Sequence, residues 1–116
     1  MNKMEYRIDA KIIKQICLFL MLHNIKNFDL SFHSNKRNVI FIIKSPLFSK
    51  DLLDRMNEKL SRERETAIEV YGWELLGDTD SQNELDILGA LIDEITISHE
   101  EKMSIVTLKR HYKYEQ

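Results

Sequence analysis

The sequence has very little cysteine, proline and glycine: one cysteine, one proline and three glycines in 116 residues. A single cysteine, Cys17, cannot form an intramolecular disulfide, which excludes a disulfide-stapled fold and indicates a reducing compartment. Because Cys17 lies among apolar residues, we expect a buried, inert thiol and a cytoplasmic protein. No repeat, low-complexity tract or interdomain linker is visible.

The sequence also lacks a long apolar run and an excess of charge of one sign. The longest apolar run, residues 16–22, is seven residues long, whereas a membrane-spanning helix needs about 20. No cleavage-site pattern follows that run, so no signal peptide is expected. With a net charge of −2, the chain has no global positive field that would attract nucleic acid or anionic lipid. We therefore expect no membrane partner, and any nucleic-acid binding would have to be local.

What the sequence does contain is typical of one globular domain. Hydrophobic residues make up 43% of the chain and charged residues 31%, which is far from the composition of disordered chains. A chain of this length buries a core without help from metals or disulfides. We therefore expect a single domain over residues 1–116.

The first half of the chain predicts a helix followed by two strands. Apolar residues from Asp9 to about His23 recur at helical spacing, and Asp9 is the expected N-cap. Residues 28–32 alternate between apolar and polar, which predicts a strand with one buried face. Residues 39–43 are apolar without alternation, which predicts a central strand covered on at least one face and flanked on both sides. The two strands are expected to form an antiparallel hairpin.

The second half predicts helices followed by another pair of strands. Pro46 closes the central strand, and Ser49 is expected to cap a helix that carries a charge ladder on its solvated side. Residues 66–76 fit both a helix and a strand, and the absence of a breaker before them favours a helix. A loop at 77–81 precedes the remaining elements, which are a helix with Leu85, Leu88 and Ile92 inward and strands at 95–98 and 103–108. This order predicts an α+β fold, a two-layer sandwich of a mixed, mostly antiparallel sheet with helices packed on one face.

Gly89 lies inside the last predicted helix, where glycine costs up to about 1 kcal/mol relative to alanine. A phosphate-cradling loop and a close packing contact are the two interpretations. The acidic residues Asp78, Asp80 and Glu84 suit a helix N-terminus and would repel a phosphate. We therefore expect a packing glycine that lets the helix backbone approach a strand.

The segment LDILGALIDEITISHEEKMSIVTLKR, residues 85–110, resembles the end of the histidine-kinase-type (GHKL) ATPase fold, and the anti-sigma-factor kinase branch is nearest. In that branch a helix ends in four residues: an apolar residue, aspartate, glutamate and an aliphatic residue. A strand, a turn and a last strand follow it. Residues 92–95, then Ile97 and residues 103–109, look like this pattern. The N-terminal order of a helix and then the hairpin FDLSFHSNKRNVIFIIK is similar as well. The resemblance implies an ATPase-like fold.

The residues on which ATP binding depends in that family do not recur here. The family's first helix carries an acidic residue and, one turn later, an asparagine that holds Mg²⁺, whereas Lys14 and Leu18 occupy the corresponding face. Residues 44–46, Lys-Ser-Pro, stand where an Asp-x-Gly binds adenine, and Gln82 and Glu84 stand where glycines would admit phosphates. The resemblance therefore implies a degenerate scaffold, for which we assign no cofactor and no catalytic, cofactor-binding or metal-binding residue.

Other motifs point to no chemistry either. The acidic stretch 78–86 lacks the glycine and the glutamate of an EF-hand loop. Asp93 and Glu94 are adjacent, so on a helix they diverge by about 100° and cannot share a proton. The tail LKRHYKYEQ, residues 108–116, mixes basic and aromatic residues as single-strand nucleic-acid-binding segments do, although a final strand with a solvated end accounts for it more simply. The histidines are too widely spaced for a zinc site; they are His23, His33, His99 and His111.

Three functions are compatible with this sequence. The first is a non-catalytic cytoplasmic module, regulatory or protein-binding, that binds a protein partner or itself. The sheet hairpins and a surface around Met56, Tyr71 and Trp73 are candidate contacts, and the sequence does not distinguish these three residues from core. The second is an ATP-binding, anti-sigma-factor-like kinase domain with a non-standard nucleotide site near Pro46 and Gly77. The third is a nucleic-acid-binding module that uses the tail. The absence of a catalytic motif favours the first.

Overall fold

The computed structural model describes residues 3–46, 48–60 and 84–112. Three helices and four strands make up this part of the chain: α1 (Lys3–Leu22), β1 (Asp29–Ser34), β2 (Asn38–Pro46), α2 (Lys50–Leu60), α3 (Glu84–Leu91), β3 (Glu94–Glu100) and β4 (Met103–His111). The helix expected at 66–76 and the loop expected at 77–81 lie outside the described residues.

The four strands form one sheet in the order β1-β2-β4-β3. Every pair of neighbours is antiparallel in the described strands, including the expected β1-β2 hairpin. This confirms the α+β prediction, although the sheet is antiparallel throughout these strands where a mixed one was expected. The β2 strand lies between β1 and β4, so the prediction that it is flanked on both sides is also confirmed.

The pairing of β2 with β4 decides which residues face the helices. Phe41 lies opposite Leu108 and Ile43 opposite Val106, and all four side chains are at most 1% exposed. Directly opposed residues share a face of the sheet, and successive residues of a strand alternate between the two faces. Every second residue of each strand therefore points into the core. The apolar faces of the three helices complete that core, in a two-layer arrangement.

The first helix begins earlier than the sequence predicts. It starts at Lys3, so Asp9 lies inside the helix, and the prediction that Asp9 is its N-cap is wrong. Glu5, Ile8 and Asp9 are all buried on the face that Ile12 continues. Charged residues are almost never buried without partners, so Glu5 and Asp9 do not look like core positions in the sequence. For that reason the helical periodicity is not visible at this end.

The second helix begins as the sequence predicts. The Leu52 backbone N–H donates to Ser49 Oγ at 3.1 Å, which is the expected N-cap hydrogen bond. Met56 is only 2% exposed, so of its two interpretations, partner contact and core, the structure shows core. The other two candidates, Tyr71 and Trp73, lie outside the described residues.

Gly89 is a packing glycine, as the sequence predicts, but its neighbour is a helix and not a strand. A Cβ atom at this position would overlap the Lys59 carbonyl oxygen and approach the Leu60 backbone at the end of α2. The missing side chain therefore allows α3 to lie against α2 at backbone distance.

We expect Gly89→Ala to destabilise the protein by about 1–3 kcal/mol, because the added methyl group meets a backbone carbonyl that must move. Helix propensity alone predicts the opposite, a gain of up to about 1 kcal/mol. Urea unfolding followed by circular dichroism measures the difference. Ala10→Gly on the exposed side of α1 is the control, with an expected loss of about 1 kcal/mol; stabilisation by Gly89→Ala would contradict the packing role.

Candidate functional site

The face of the sheet turned away from the helices, here called the open face, has an apolar centre. Ile40 and Ile42 of β2 and Met103 and Ile105 of β4 alternate with the buried residues of these strands and are partly exposed. The described helices pack against the other face. Because the solvated face of an antiparallel sheet is ordinarily polar, this apolar centre is the most distinctive surface on the described part of the chain.

The rim of the open face is polar. The register places Ser31 opposite Ile42 on the β1 side, and Thr96 opposite Thr107 on the β3 side. At one corner the Glu94 carboxylate lies 3.2 Å from His111 Nε2 and 3.9 Å from Lys109 Nζ, exposed contacts that contribute little to stability. An apolar centre within a polar rim is the usual organisation of a protein-binding surface.

A cavity of about 480 Å³ opens at one end of the fold, beside Pro46. Its walls come from the loop after α1, the end of β2 and the start of α2. Two basic side chains, His23 and Lys26, line it together with Ser45 and Ser49, and its described lining includes no carboxylate. Its volume is in the range of small-molecule sites.

The loop that forms one wall of this cavity is held by the end of α1. Asn24 has a φ of 61°, the left-handed conformation that asparagine tolerates better than most residues. The Ile25 N–H donates to the Leu20 carbonyl at 3.0 Å and the Asn24 N–H to the Met21 carbonyl at 3.1 Å, which is a Schellman motif. His23 Nδ1 donates to the Phe19 carbonyl at 2.9 Å, so its second nitrogen, Nε2, is the one left for another partner.

A buried ion pair ties the start of α1 to β4. Arg110 is fully buried; its Nη2 donates to Glu5 Oε2 at 3.0 Å and its Nη1 to the Leu91 carbonyl at 2.9 Å. Removing one partner of a buried pair leaves an uncompensated charge and typically costs about 3–5 kcal/mol. The helix α1, the end of α3 and β4 therefore meet at one guanidinium group.

A second polar chain lies beside this ion pair. Tyr112 OH donates to Asp9 Oδ2 at 2.5 Å, and the Ser34 hydroxyl lies 2.7 Å from the same phenol oxygen. Burial raises the pKa of Asp9 to about 6, against the opposing effects of the Tyr112 hydrogen bond and the Arg110 charge. Burial and the neighbouring Asp9 also hold the pKa of Tyr112 well above its ordinary value. Asp9 Oδ1 has no hydrogen-bond partner among the described residues, so its negative charge is poorly compensated.

The structure places the remaining candidate residues apart from one another. Cys17 is partly exposed and not buried as expected; burial on its inner side raises its pKa, which keeps the thiol protonated. His33, His99 and His111 are exposed on three different strands. Within the described ranges, no three histidine, cysteine or acidic side chains cluster as a metal site would require.

The basic and aromatic tail is mostly part of the fold where it is described. Arg110 and Tyr112 are buried, so neither side chain is available to stack on or pair with a nucleic acid. Residues 113–116 lie outside the described part.

Asp93 and Glu94 do not lie on a helix, contrary to the sequence interpretation. The helix α3 ends at Leu91, and Asp93 sits between that helix and β3. Asp93 Oδ2 accepts a hydrogen bond from the His111 N–H, and the Asp93 N–H donates to the Lys109 carbonyl at 2.8 Å. Through its carboxylate and its backbone N–H, Asp93 therefore holds the start of β3 in register with β4.

The positions that correspond to the nucleotide-binding residues of the resembled family have other surroundings where the structure describes them. Lys14 is exposed and Leu18 only partly buried. Lys44 lies on the open face, and Ser45 Oγ donates to the Asn27 carbonyl at 3.1 Å; neither supplies the acceptor that the family uses for adenine. Gln82 and residues 78–83 lie outside the described part, and Glu84 begins α3.

Sequence reasoning missed the Glu5–Arg110 and Asp9–Tyr112 pairs. One signal was present: Arg110 continues the alternation of Val106 and Leu108, so its side chain had to enter the core. Glu5 and Asp9 are four residues apart and therefore share a helix face.

No protein-family model matches the sequence, and no curated protein or solved structure matches it either. The described helices include none whose length and apolar content would let it cross a bilayer.

We expect Asp9 to make the stability of the protein depend on pH. The pKa of Asp9 in the folded protein, about 6, is above the ordinary value of 3.8. Its contribution to the free energy of unfolding is therefore fully present below about pH 4 and is lost as the pH rises through 6. The loss approaches about 3 kcal/mol. Asp9→Asn keeps an acceptor for the Tyr112 hydroxyl without a charge and should remove this dependence.

Urea unfolding of wild type and Asp9→Asn between about pH 4 and pH 7.5 measures this difference. The free energy of unfolding of Asp9→Asn should rise relative to that of wild type as the pH rises. The control is Asp54→Asn, at an exposed carboxylate on α2, and its stability should change with pH as that of wild type does. Parallel curves for Asp9→Asn would contradict the assignment.

Proposed function

We propose that the protein is a non-catalytic, regulatory protein-interaction module that binds a single amphipathic helix of a partner protein on its open face. The observation that supports this proposal is the apolar centre of that face, which is built on the two central strands. An apolar surface on such strands is a stronger indication of binding than scattered surface hydrophobics.

The dimensions of the apolar centre match one helix. Ile40 and Ile42 on β2 and Ile105 and Met103 on β4 form a continuous diagonal band, because Ile42 is opposite Thr107 and Lys44 opposite Ile105. Two strands cover a width of about 10 Å and six residues a length of about 20 Å. A helix has a diameter of about 10 Å and spans 20 Å with about 13 residues.

The same dimensions argue against two copies stacking face to face. The open face is about 19 Å wide, and its nine-residue central strands make it at most about 30 Å long, or roughly 570 Å² in projection. A stable interface buries about 800 Å² on each partner. A short helix with an apolar stripe at i, i+3, i+4 and i+7 is the occupant that fits.

The charges on the rim indicate the flanks of that helix. The outer strands carry acidic residues on the open face, Asp29 on β1 and Glu94 and Glu100 on β3, whereas the lysines of that face, Lys44 opposite Asp29 and Lys109 opposite Glu94, lie on the central strands. A helix centred on the isoleucines would place its flanking side chains above these strands, so basic flanks are complementary. We place the module in the cytoplasm because a lone thiol suits a reducing compartment.

A model peptide of about 14 residues, with leucines at helical spacing and lysines beside them, should bind the open face. The expected result is methyl chemical-shift changes at Ile40, Ile42 and Ile105 and none at the buried Ile12. A peptide of the same composition with its leucines scattered around the helix is the control for charge alone.

Ile42→Glu should weaken this binding roughly tenfold or more, a change of about 1.4 kcal/mol, although it adds a negative charge beneath a basic peptide. The matched control is Thr96→Glu, which adds the same charge on the same face outside the apolar band and should bind at least as well as wild type. Equal binding by the scrambled peptide, or by Ile42→Glu, would contradict the proposal.

A second candidate function, the binding of a small anionic molecule, is favoured by the cavity beside Pro46. Among the described residues, its lining combines His23 and Lys26 with hydroxyl groups and includes no carboxylate. An ATP-binding, kinase-like domain with a non-standard site is the version of this function that the family resemblance suggests.

ATP, ADP and inorganic phosphate at millimolar concentration, with and without Mg²⁺, test this second function by thermal unfolding. A ligand at ten times its Kd stabilises the fold by about 1.4 kcal/mol, a rise of several degrees in Tm. Lys26→Gln should abolish the rise, whereas Lys36→Gln, in the exposed turn between β1 and β2, should preserve it. If Tm rises with none of these anions, the anion-binding function of the cavity is wrong and the protein-binding proposal stands alone.

A further inference from the structure

The strand β1 is one edge of the sheet and pairs with β2 alone among the described residues. The backbone N–H and C=O groups along its outer side are therefore directed away from the sheet. Such an edge is a template for another strand unless it is blocked by lysine, proline or a bulge. The strand has the sequence DLSFHS and contains none of these devices.

A second apolar stripe of α1 runs beside this edge. Tyr6, Ala10, Ile13, Cys17 and Met21 recur at intervals of three or four residues and therefore share one side of the helix. Tyr6 is 37% exposed and Met21 62%, and the others are exposed or partly exposed. This side is distinct from the buried face that carries Ile12 and Phe19.

Two contacts place the Tyr6 end of the stripe near the end of β1. The Tyr6 ring meets the Tyr112 ring edge-on, with centroids 6.4 Å apart, and Tyr112 OH is 2.7 Å from Ser34 Oγ at the end of β1. The chain turns directly from the end of α1 into β1, so the two elements run in opposite directions, and Met21 lies toward the Asp29 end. On the same face of the sheet, Phe32 is 43% exposed at the edge.

One antiparallel register makes this edge complementary to itself. With Ser31 opposite Ser31 of a second copy, Asp29 lies opposite His33 of that copy, and Leu30 lies opposite its Phe32. Two-fold symmetry gives each pair twice. A shift by one residue would direct apolar side chains to the wrong face, and centring the pairing on Asp29 would oppose two carboxylates.

We propose that the chain forms a homodimer by antiparallel pairing of its β1 edges, which joins two sheets into one of eight strands. The Asp29–His33 pairs lie on the open face, and the Leu30–Phe32 pairs lie beneath the two α1 stripes on the other face. The edge hydrogen bonds provide the pairing, and the stripe around Cys17 and Met21 provides the apolar area that a strand pair alone lacks. This interface is separate from the apolar centre of the open face, so a dimer would present two such centres on one continuous sheet.

Sedimentation equilibrium between about 1 and about 200 µM measures the dimer Kd. Wild type should approach twice the 13.8 kDa chain mass. His33→Asp sets two carboxylates opposite each other at both ends of the interface and should weaken dimerisation roughly tenfold or more. The exchanged variant Asp29→His/His33→Asp restores complementary pairs and should recover the wild-type Kd within about threefold.

Positions 29 and 33 are exposed, so these variants should keep the wild-type circular dichroism and Tm. His99→Asp, on the opposite edge strand β3, is the matched control and should dimerise as wild type does. In a Cys17→Ala background, which keeps that position of the stripe apolar, Ser31→Cys should form an intermolecular disulfide under mild oxidation, and Ser98→Cys should not. A monomer at every concentration, a failure of the exchanged variant to recover, or crosslinking through position 98 in place of 31 would overturn the proposal.

Discussion

The register between β2 and β4 is the constraint on which the rest of the structure depends. These two central strands are paired over nine residues, and their alternation allots each side chain to one face. One parity gives the core of Phe41, Ile43, Val106 and Leu108. The other parity sets Ile40, Ile42 and Ile105 on the open face. A shift of one residue would exchange the two sets, so core and binding surface are specified together.

The same register brings Arg110 into the core beside α1. A buried guanidinium group adds little net stability over apolar packing, but leaving it without Glu5 is costly. The ion pair, with the Tyr112–Asp9 hydrogen bond beside it, therefore favours one placement of α1 over helix positions that differ by a turn. That placement also sets the outward stripe of α1 next to the β1 edge, which connects the buried polar cluster to the proposed dimer surface.

The strands were predictable because alternation, as in β1, and a run of apolar, mostly β-branched residues, as in β2, are local signals. The hairpin, the Ser49 cap and the packing role of Gly89 could likewise be inferred from neighbouring residues. The start of α1 could not, because Glu5 and Asp9 are buried only through partners that lie about a hundred positions away in the chain. Met56 was left open between partner contact and core, and the structure buries it with Leu52 and Leu60. The apolar run at 39–43 indicated that at least one face of this strand is buried, but it did not show which of its residues lie on the open face.

The resemblance to histidine-kinase-type ATPases remains a hypothesis about descent. Its expected adenine position is held by Lys44 on the open face and by Ser45, which is hydrogen-bonded to the loop after α1. The surface features of the described chain that support the proposed binding functions are an apolar centre, an edge strand and an outward helical stripe.

The most direct measurement is the solvent exposure of isoleucine methyl groups in the intact chain, determined by NMR with a soluble gadolinium chelate. If the open face is available to a partner helix, the methyl resonances of Ile40, Ile42 and Ile105 will broaden strongly, while those of Ile12, Ile43 and Ile92 will not. Protection of all six methyl groups to the same extent would mean that the face is already covered, and the proposed function would be wrong.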